Sequence, residues 1–233
     1  MKLLVTNDDG FDAPGIASLA NVAGPLGDLV VVAPALPQSG IGHQVTAYDP
    51  ILVAADDTNR YRVHGTPADC SRIGLREFLP DADWVIAGIN NGGNLGVDVY
   101  MSGTVAAARE AALLGYRAMA VSHYIVRDRP LDWALTERRI TPILKMLLEM
   151  DLPQNHFWNV NLPHPTHDRE SLPHTFCDVD SGPLDVRFER QGDHYSYSGD
   201  YHARPRQSGR DVDVCFDGHI AISKVPLDVT NAR

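Results

Sequence analysis

Leu3-Leu4-Val5-Thr6-Asn7-Asp8-Asp9-Gly10 sets two adjacent carboxylates where an apolar run gives out. An uninterrupted apolar run of this kind is the mark of a strand buried on both faces, as strands of parallel sheets are. Ligands of open parallel α/β sheets bind outside the carboxyl ends of the strands, so Asp8 and Asp9 stand at the mouth of a site. Adjacent carboxylates repel, and a divalent cation relieves the repulsion. Mg²⁺ takes oxygen ligands, often only one or two protein carboxylates, and leaves the remaining positions to water and substrate phosphate. The competing interpretation is a plain turn, because Asn, Asp and Gly each favour one. Other segments decide between the two.

Asp12-Ala13-Pro14-Gly15 opens a helix with Pro in its first turn, and Ile16, Leu19, Ala20 and Ala23 follow at helical spacing as far as Gly24-Pro25. Leu29-Val30-Val31-Val32-Ala33, stopped by Pro34, is a second buried strand and completes a β-α-β unit. The stretch from Leu36 to Tyr48, with Ser39-Gly40 and His43, is a long loop leaving that strand on the Asp8 side. Tyr61-Arg62-Val63-His64-Gly65 is a strand, and Thr66-Pro67-Ala68-Asp69 a helix start with Thr66 as N-cap and Asp69 at the third position. Cys70, Ile73, Gly74 and Leu75 then face inward, which makes Cys70 a core residue. Trp84-Val85-Ile86-Ala87 is a buried strand running into Gly88-Ile89-Asn90-Asn91-Gly92-Gly93-Asn94-Leu95-Gly96, a loop whose glycines call for unusual backbone angles or close ligand approach. Ser102-Gly103-Thr104 opens a strong helix that continues to Leu114 and closes at Gly115. Ala118 to Ser122 is a fifth strand, and Leu131 to Met150 a longer amphipathic helix bent at Pro142.

Beyond Asn159-Val160-Asn161-Leu162-Pro163 the helical periodicity ends. Val186 to Arg190 and His194 to Tyr197 flank Gln191-Gly192-Asp193, a hairpin with a three-residue loop, and His219 to Ser223 is a last alternating strand. The pattern predicts an α/β protein. Residues 1–163 form a Rossmann-like, three-layer parallel sheet, and residues 164–233 a C-terminal extended β-hairpin region that packs back on the core and serves oligomerisation.

The composition narrows the function classes. The 233 residues carry a net charge of −10, so the chain does not present the basic face a duplex nucleic-acid binder needs. The three cysteines, Cys70, Cys177 and Cys215, are too few and too scattered for a disulfide framework or a zinc cluster. No stretch approaches 18 apolar residues and no signal-peptide core follows the N-terminus; the expectation is a cytoplasmic protein without membrane attachment. The late histidines His156, His164, His167, His174, His194, His202 and His219 lack metal-ligand spacing and read as surface or interface residues. Tyr195, Tyr197 and Tyr201 are candidates for a subunit contact.

Four strand-end segments converge if the sheet is doubly wound: Asn7-Asp8-Asp9, Ser39-Gly40, Asn90 to Asn94, and Ser102-Gly103-Thr104. Their oxygen donors suit Mg²⁺, Mn²⁺ or Ca²⁺. The last opens a helix, where backbone N–H groups and the helix dipole favour a phosphate. A metal beside a phosphate cradle is the equipment of hydrolytic phosphoryl transfer. Two rivals stand against it. One is a nucleotide-binding or sensing module without turnover. The other is a dinucleotide-dependent oxidoreductase, which is disfavoured because Asn7-Asp8-Asp9-Gly10-Phe11-Asp12 lacks the Gly-x-Gly-x-x-Gly turn.

Thr6-Asn7-Asp8-Asp9-Gly10, Ala33-Pro34 with Ser39-Gly40, Gly65-Thr66-Pro67-Ala68-Asp69-Cys70, Gly88-Ile89-Asn90 with Asn94-Leu95-Gly96, and Ser102-Gly103-Thr104-Val105-Ala106-Ala107-Ala108 occur in that order. In this the chain resembles the SurE survival-protein family of metal-dependent 5′/3′-nucleotidases, most clearly over residues 1 to about 123. The resemblance implies that Asp8, Asp9, Ser39 and Asn90 ligate one divalent metal, Mg²⁺ or Mn²⁺. It implies a phosphomonoesterase acting on nucleoside monophosphates, with Asp8 and Asp9 as catalytic residues, whether as general base or as phospho-accepting nucleophile. Asn7, Asn94, Ser102, Gly103, Thr104 and His43 are carried over as phosphate or substrate contacts, and a homodimer or homotetramer as the assembly. Ala35 and Gln38 depart from the family pattern, which usually has an acidic residue and a basic residue there.

Overall fold

The computed structural model describes residues 1–126, 129–164 and 168–227; His167 lies outside them. The elements, in chain order, are β1 (Lys2–Thr6), α1 (Pro14–Ala23), β2 (Asp28–Pro34), β3 (Val53–Asp57), β4 (Arg60–Val63), α2 (Pro67–Ile73), β5 (Trp84–Asn91), α3 (Gly103–Leu113), β6 (Arg117–His123), α4 (Trp133–Glu149), β7 (His156–Leu162), β8 (His174–Phe176), β9 (Phe188–Gln191), β10 (His194–Tyr197), α5 (Asp211–Phe216) and β11 (Ile220–Pro226). Nine strands form one sheet in the order β3-β4-β2-β1-β5-β6-β7-β11-β8. From β4 to β7 every neighbouring pair is parallel. At the flanks β3 runs antiparallel to β4, and β11 antiparallel to β7, so the sheet is mixed.

The apolar run of β1 is explained by its place at the centre of this sheet. Leu3, Leu4 and Val5 are all fully buried. Leu3 and Val5 face one core with Ile16 and Leu19 of α1 and Ile140, Ile143 and Leu144 of α4. Leu4 faces the other, with Val105, Ala107 and Ala111 of α3. Successive side chains of a strand alternate between faces, so a strand covered on both needs apolar residues throughout. The chain goes one way from β1 to β2 and later returns to place β5 on its other side. The carboxyl ends of β1 and β5 therefore flank the switch point at which doubly wound sheets bind ligands.

Several local expectations hold in detail. Thr66 caps α2 with a complete capping box: its hydroxyl accepts from the Asp69 N–H, and Asp69 accepts from the Thr66 N–H at 2.9 Å. Cys70 and Leu75 are fully buried. Burial, reinforced by Asp69 next to it, pushes the Cys70 thiol well above its ordinary value, as befits a core thiol. Pro142 lies inside α4.

Others are corrected. The strand expected to end at Ala87 continues through Asn91, with an irregularity in its pairing between Ala87 and Asn90. The first four of the nine residues of the glycine-rich stretch are thus strand. The hairpin loop is one residue shorter than expected: Gln191 pairs with His194, leaving Gly192-Asp193 as the turn, with Gly192 at φ 63°. A two-residue hairpin turn needs positive φ, and glycine supplies it without a Cβ clash. β3, β8 and α5 had no counterpart in the sequence reading. β11 lies within the large sheet, whereas β9 and β10 form a separate two-stranded sheet in which every residue is exposed.

Candidate active site

A depression of about 250 Å³ opens at the carboxyl ends of β1, β2 and β5, lined by Asp8, Asp9, Ser39, Asn90, Asn94 and Ser102 among others. The fold thus brings together residues that lie as far as 94 positions apart in the chain. Asp8 is buried and accepts a hydrogen bond from the Thr104 hydroxyl. Burial raises its pKa to about 6, against the opposing effect of the Thr104 bond and with the Asp9 charge adding to the rise. Asp9 is half-buried and accepts from the Asn91 N–H at 2.9 Å, and burial raises its pKa as well. Among the described residues no cationic side chain contributes to either carboxylate.

The tip of α3 is fitted against Asp8. A Cβ on Gly103 would meet the Asp8 Cβ at 2.8 Å and its Oδ2 at 2.9 Å, so only glycine lets the helix come this close. Ser102 caps α3, its hydroxyl accepting from the Val105 N–H at 3.1 Å. Of the helix's first N–H groups, that of Thr104 is directed at the Asp8 carboxylate and that of Val105 at the Ser102 hydroxyl. Asn7, fully buried, donates to the Gly10 carbonyl at 2.8 Å and holds the turn that follows β1; its side-chain oxygen has no partner among the described residues. Asn90 donates to the Gly92 carbonyl at 2.9 Å, which leaves its side-chain oxygen as the atom offered to a ligand.

Ser39 is exposed, on a loop fastened at two points: the Gln38 N–H donates to the Asp8 carbonyl at 2.7 Å and the Gly42 N–H to the Met101 carbonyl at 3.1 Å. His43 is not brought to the depression. Its Nε2 lies 2.7 Å from the buried Glu110 carboxylate of α3, which also accepts from Arg72 Nε at 2.5 Å. His43 therefore ties the Ser39 loop to α3 from the side.

Two sets of residues here were missed from sequence. Asn94 is clamped by β6 and β7: its N–H donates to Asn161 Oδ1 at 2.8 Å, its carbonyl accepts from Asn159 Nδ2 at 2.9 Å and Asn161 Nδ2 at 3.1 Å, and its amide donates to Ser122 Oγ at 2.8 Å. The Asn-Val-Asn spacing of residues 159–161 was the available signal, since period two puts both amides on one face of a strand. The second is Asp98, on the rim, which accepts from the Tyr201 hydroxyl at 2.7 Å and from Arg204 Nη1 at 2.9 Å. Tyr201 is thus an internal strut, while Tyr195 and Tyr197 stand exposed on the hairpin.

The comparisons with known proteins fit this geometry. The family model described as "Survival protein SurE" matches residues 3–180. The chain belongs to the SurE survival-protein family. It is 50% identical over 225 residues to a "Putative 5'-nucleotidase" of Synechocystis, covering 97% of this chain and 99% of that one. It is 36% identical to the 5′-nucleotidase SurE of Geotalea uraniireducens, covering 99% and 95% of the two chains. The crystal structure of the SurE protein from Aquifex aeolicus superposes with a TM-score of 0.86 at 30% identity, over 99% of this chain and 95% of that one.

The donor set fits a single hard cation. Among the described residues no group of three or more His, Cys, Asp or Glu side chains is placed to hold a metal. What the depression offers is two carboxylates, a hydroxyl and an amide oxygen, the mixture that Mg²⁺ or Mn²⁺ accepts and thiophilic metals do not. Two carboxylates whose pKa values are raised by burial, with no cation beside them, gain stability from a divalent ion. The buried, unpartnered oxygen of Asn7 sits one residue from Asp8.

Proposed function

We propose that this member of the SurE family is a metal-dependent phosphomonoesterase that hydrolyses nucleoside 5′-monophosphates, and 3′-monophosphates, to nucleoside and phosphate. The observation that carries it is the convergence of Asp8, Asp9, Ser39 and Asn90 on one depression, against which the N-terminus of α3 is packed. These four residues would hold the cation. When bound, the cation neutralises charge on the phosphoryl oxygens and lowers the pKa of an attacking water.

The chain's own residues supply the remainder. Thr104 fixes one oxygen of Asp8 and the Asn91 N–H one oxygen of Asp9, which holds both carboxylates at the depression. The positive end of the α3 dipole and the Ser102 turn receive the phosphate's non-bridging oxygens. Asn94, immobilised through its backbone and by the bond from its amide to Ser122, lines the same depression. Phosphoryl transfer requires mostly positioning and charge neutralisation, which this arrangement provides. One of the two carboxylates takes the proton of the attacking water; trapping a phosphoaspartyl enzyme would assign it the nucleophile's role instead.

The assembly we propose is a homodimer or homotetramer in the cytoplasm, with the β9–β10 hairpin at the contact. A two-stranded hairpin is marginal on its own, and this one exposes Phe188, Tyr195 and Tyr197. Among the described residues no helix is long and apolar enough to cross a membrane. The test of the activity is phosphate release from a panel of 5′- and 3′-nucleoside monophosphates with Mg²⁺, Mn²⁺ or EDTA; metal-dependent release is expected. Tight nucleotide binding without release would favour the binding-module alternative.

A further inference from the structure

Asp8, Asp9 and Asn90 stand on or next to the ends of the central strands β1 and β5, whereas Ser39 is carried by a loop. Between β2 and β3 the chain runs from residue 35 to 52 without strand or helix, and Ser39 and Gly40 are exposed at its tip. Gly40 has φ 74°, and a Cβ there would meet nothing within 4 Å. A tip of this kind moves freely unless its flanks are held.

The flanks are held by polar contacts. On the near side the Gln38 N–H donates to the Asp8 carbonyl, and the Ile41 N–H closes a turn on the Gln38 carbonyl at 3.3 Å. On the far side Thr46 donates to Asp69 of α2 through its N–H at 2.9 Å and its hydroxyl at 2.7 Å. The Gln44 carbonyl accepts from the Thr66 hydroxyl at 2.7 Å. Between the two sides His43 reaches α3, its Nε2 2.7 Å from the Glu110 carboxylate.

The His43 ring is fixed at both nitrogens. Arg109 Nη1 lies 3.4 Å from His43 Nδ1, and a guanidinium can only donate, so Nδ1 accepts and Nε2 carries the hydrogen given to Glu110. Arg109 also donates through Nη2 to the Val99 carbonyl at 2.5 Å, in the turn that leads to Ser102. Glu110 is buried, and its other oxygen accepts from Arg72, which supplies the opposite charge. His43 is therefore not needed to neutralise Glu110; what its bond secures is the loop. Through residues 109 and 110, α3 holds the Ser39 loop and the turn before Ser102 in one fixed relation.

We infer that His43 is a positioning residue of the metal site: by bonding to Glu110 it keeps the Ser39 hydroxyl at the depression, and so sets metal affinity without touching the metal. The inference rests on the metal-site reading above. A site that is complete only part of the time binds more weakly by that fraction, so an anchor that keeps Ser39 in place strengthens binding. Residues that orient metal ligands from behind are worth about 10–100-fold in metal affinity.

The experiment is manganese binding without substrate, followed by electron paramagnetic resonance, for the wild type, His43→Ala, His43→Gln, Ser39→Ala and the double variant His43→Ala/Ser39→Ala. His43→Ala should raise the manganese Kd at least about tenfold, and His43→Gln, whose amide can still donate to Glu110, should recover most of the loss. Adding His43→Ala to Ser39→Ala should weaken binding no further, because His43 acts through Ser39; a merely structural loss would add to that of Ser39→Ala. An unchanged Kd in His43→Ala, or losses that add in the double variant, would overturn the inference and leave the metal site standing. A wild type that binds no manganese would instead remove the metal reading, and this inference with it. Should His43→Ala fail to fold, His43→Leu, which keeps bulk without a donor, takes its place with the same expected and overturning results.

Discussion

Replacing Asn161 by leucine separates what the asparagine clamp does for catalysis from what it does for folding. Asn161 is almost fully buried, and its amide makes two hydrogen bonds to the backbone of Asn94, at 2.8 and 3.1 Å. Leucine fills a similar volume but pairs with neither group. The Asn94 carbonyl keeps its bond from Asn159, whereas its N–H is left without that partner. A buried donor without a partner costs about 1–3 kcal/mol, so the variant should lose about 2 kcal/mol. For a domain of this size that lowers Tm by about 4–8 °C. The effect on rate should be larger, since a shift of about 1 Å in a positioning group costs about a hundredfold. Thermal unfolding and phosphate release measured on the same preparation, well below the variant's Tm, give both numbers. A variant destabilised as expected but with kcat/KM within about threefold of the wild type would refute the idea that the clamp places Asn94 for the reaction.

Gly103→Ala should lower kcat by more than about tenfold while costing about 1–2 kcal/mol, because a Cβ 2.8 Å from that of Asp8 forces the helix tip and the carboxylate apart; steady-state kinetics with denaturant unfolding checks both. His123 gives a pH prediction. Burial, aided by His164 and Arg139, depresses its pKa from 6.5 to about 4, so the unfolded chain takes up a proton first as pH falls. Its contribution to stability is complete above about pH 6.5 and is lost toward pH 4, by about 2 kcal/mol at pH 5 relative to pH 7. Denaturant unfolding in EDTA at the two pH values should show this loss in the wild type and a smaller one in His123→Gln; equal losses would contradict it.

The parts of the fold legible in the sequence were those in which a local pattern has one physical solution. Leu3-Leu4-Val5 has to be covered on both sides, Thr66-Pro67-Ala68-Asp69 contains every component of a capping box, and Ser102-Gly103-Thr104 ahead of an alanine-rich run marks a helix start. The missed elements lack such patterns. β3, Val-Ala-Ala-Asp-Asp, lies at the sheet edge with four of five residues exposed, so it shows no alternation between buried and exposed positions. α5 is only six residues long and draws its stability from tertiary packing rather than periodicity. At the site, the segments carrying Asp8, Asp9, Ser39 and Asn90 could be grouped because each ends or follows a strand on one edge of the sheet, whereas choosing those four residues as a metal set rested on the family resemblance. Asn159, Asn161, Ser122 and Asp98 act through partners 28 to 106 residues away, which no local pattern records. His43 was carried over as a substrate contact from the family resemblance alone; its partner in the structure is Glu110, a carboxylate buried in α3 that requires pairing.

The most direct test of the central claim is phosphate release from nucleoside 5′-monophosphates by the wild type and Asp8→Asn side by side, with Mn²⁺ or Mg²⁺ and with EDTA. Manganese binding is followed on the same samples by electron paramagnetic resonance. A site built on Asp8, Asp9, Ser39 and Asn90 predicts metal-dependent release by the wild type, with both release and manganese binding lost in a folded Asp8→Asn protein. Turnover that survives EDTA, or an Asp8→Asn variant that binds manganese and hydrolyses nucleotides like the wild type, would contradict it.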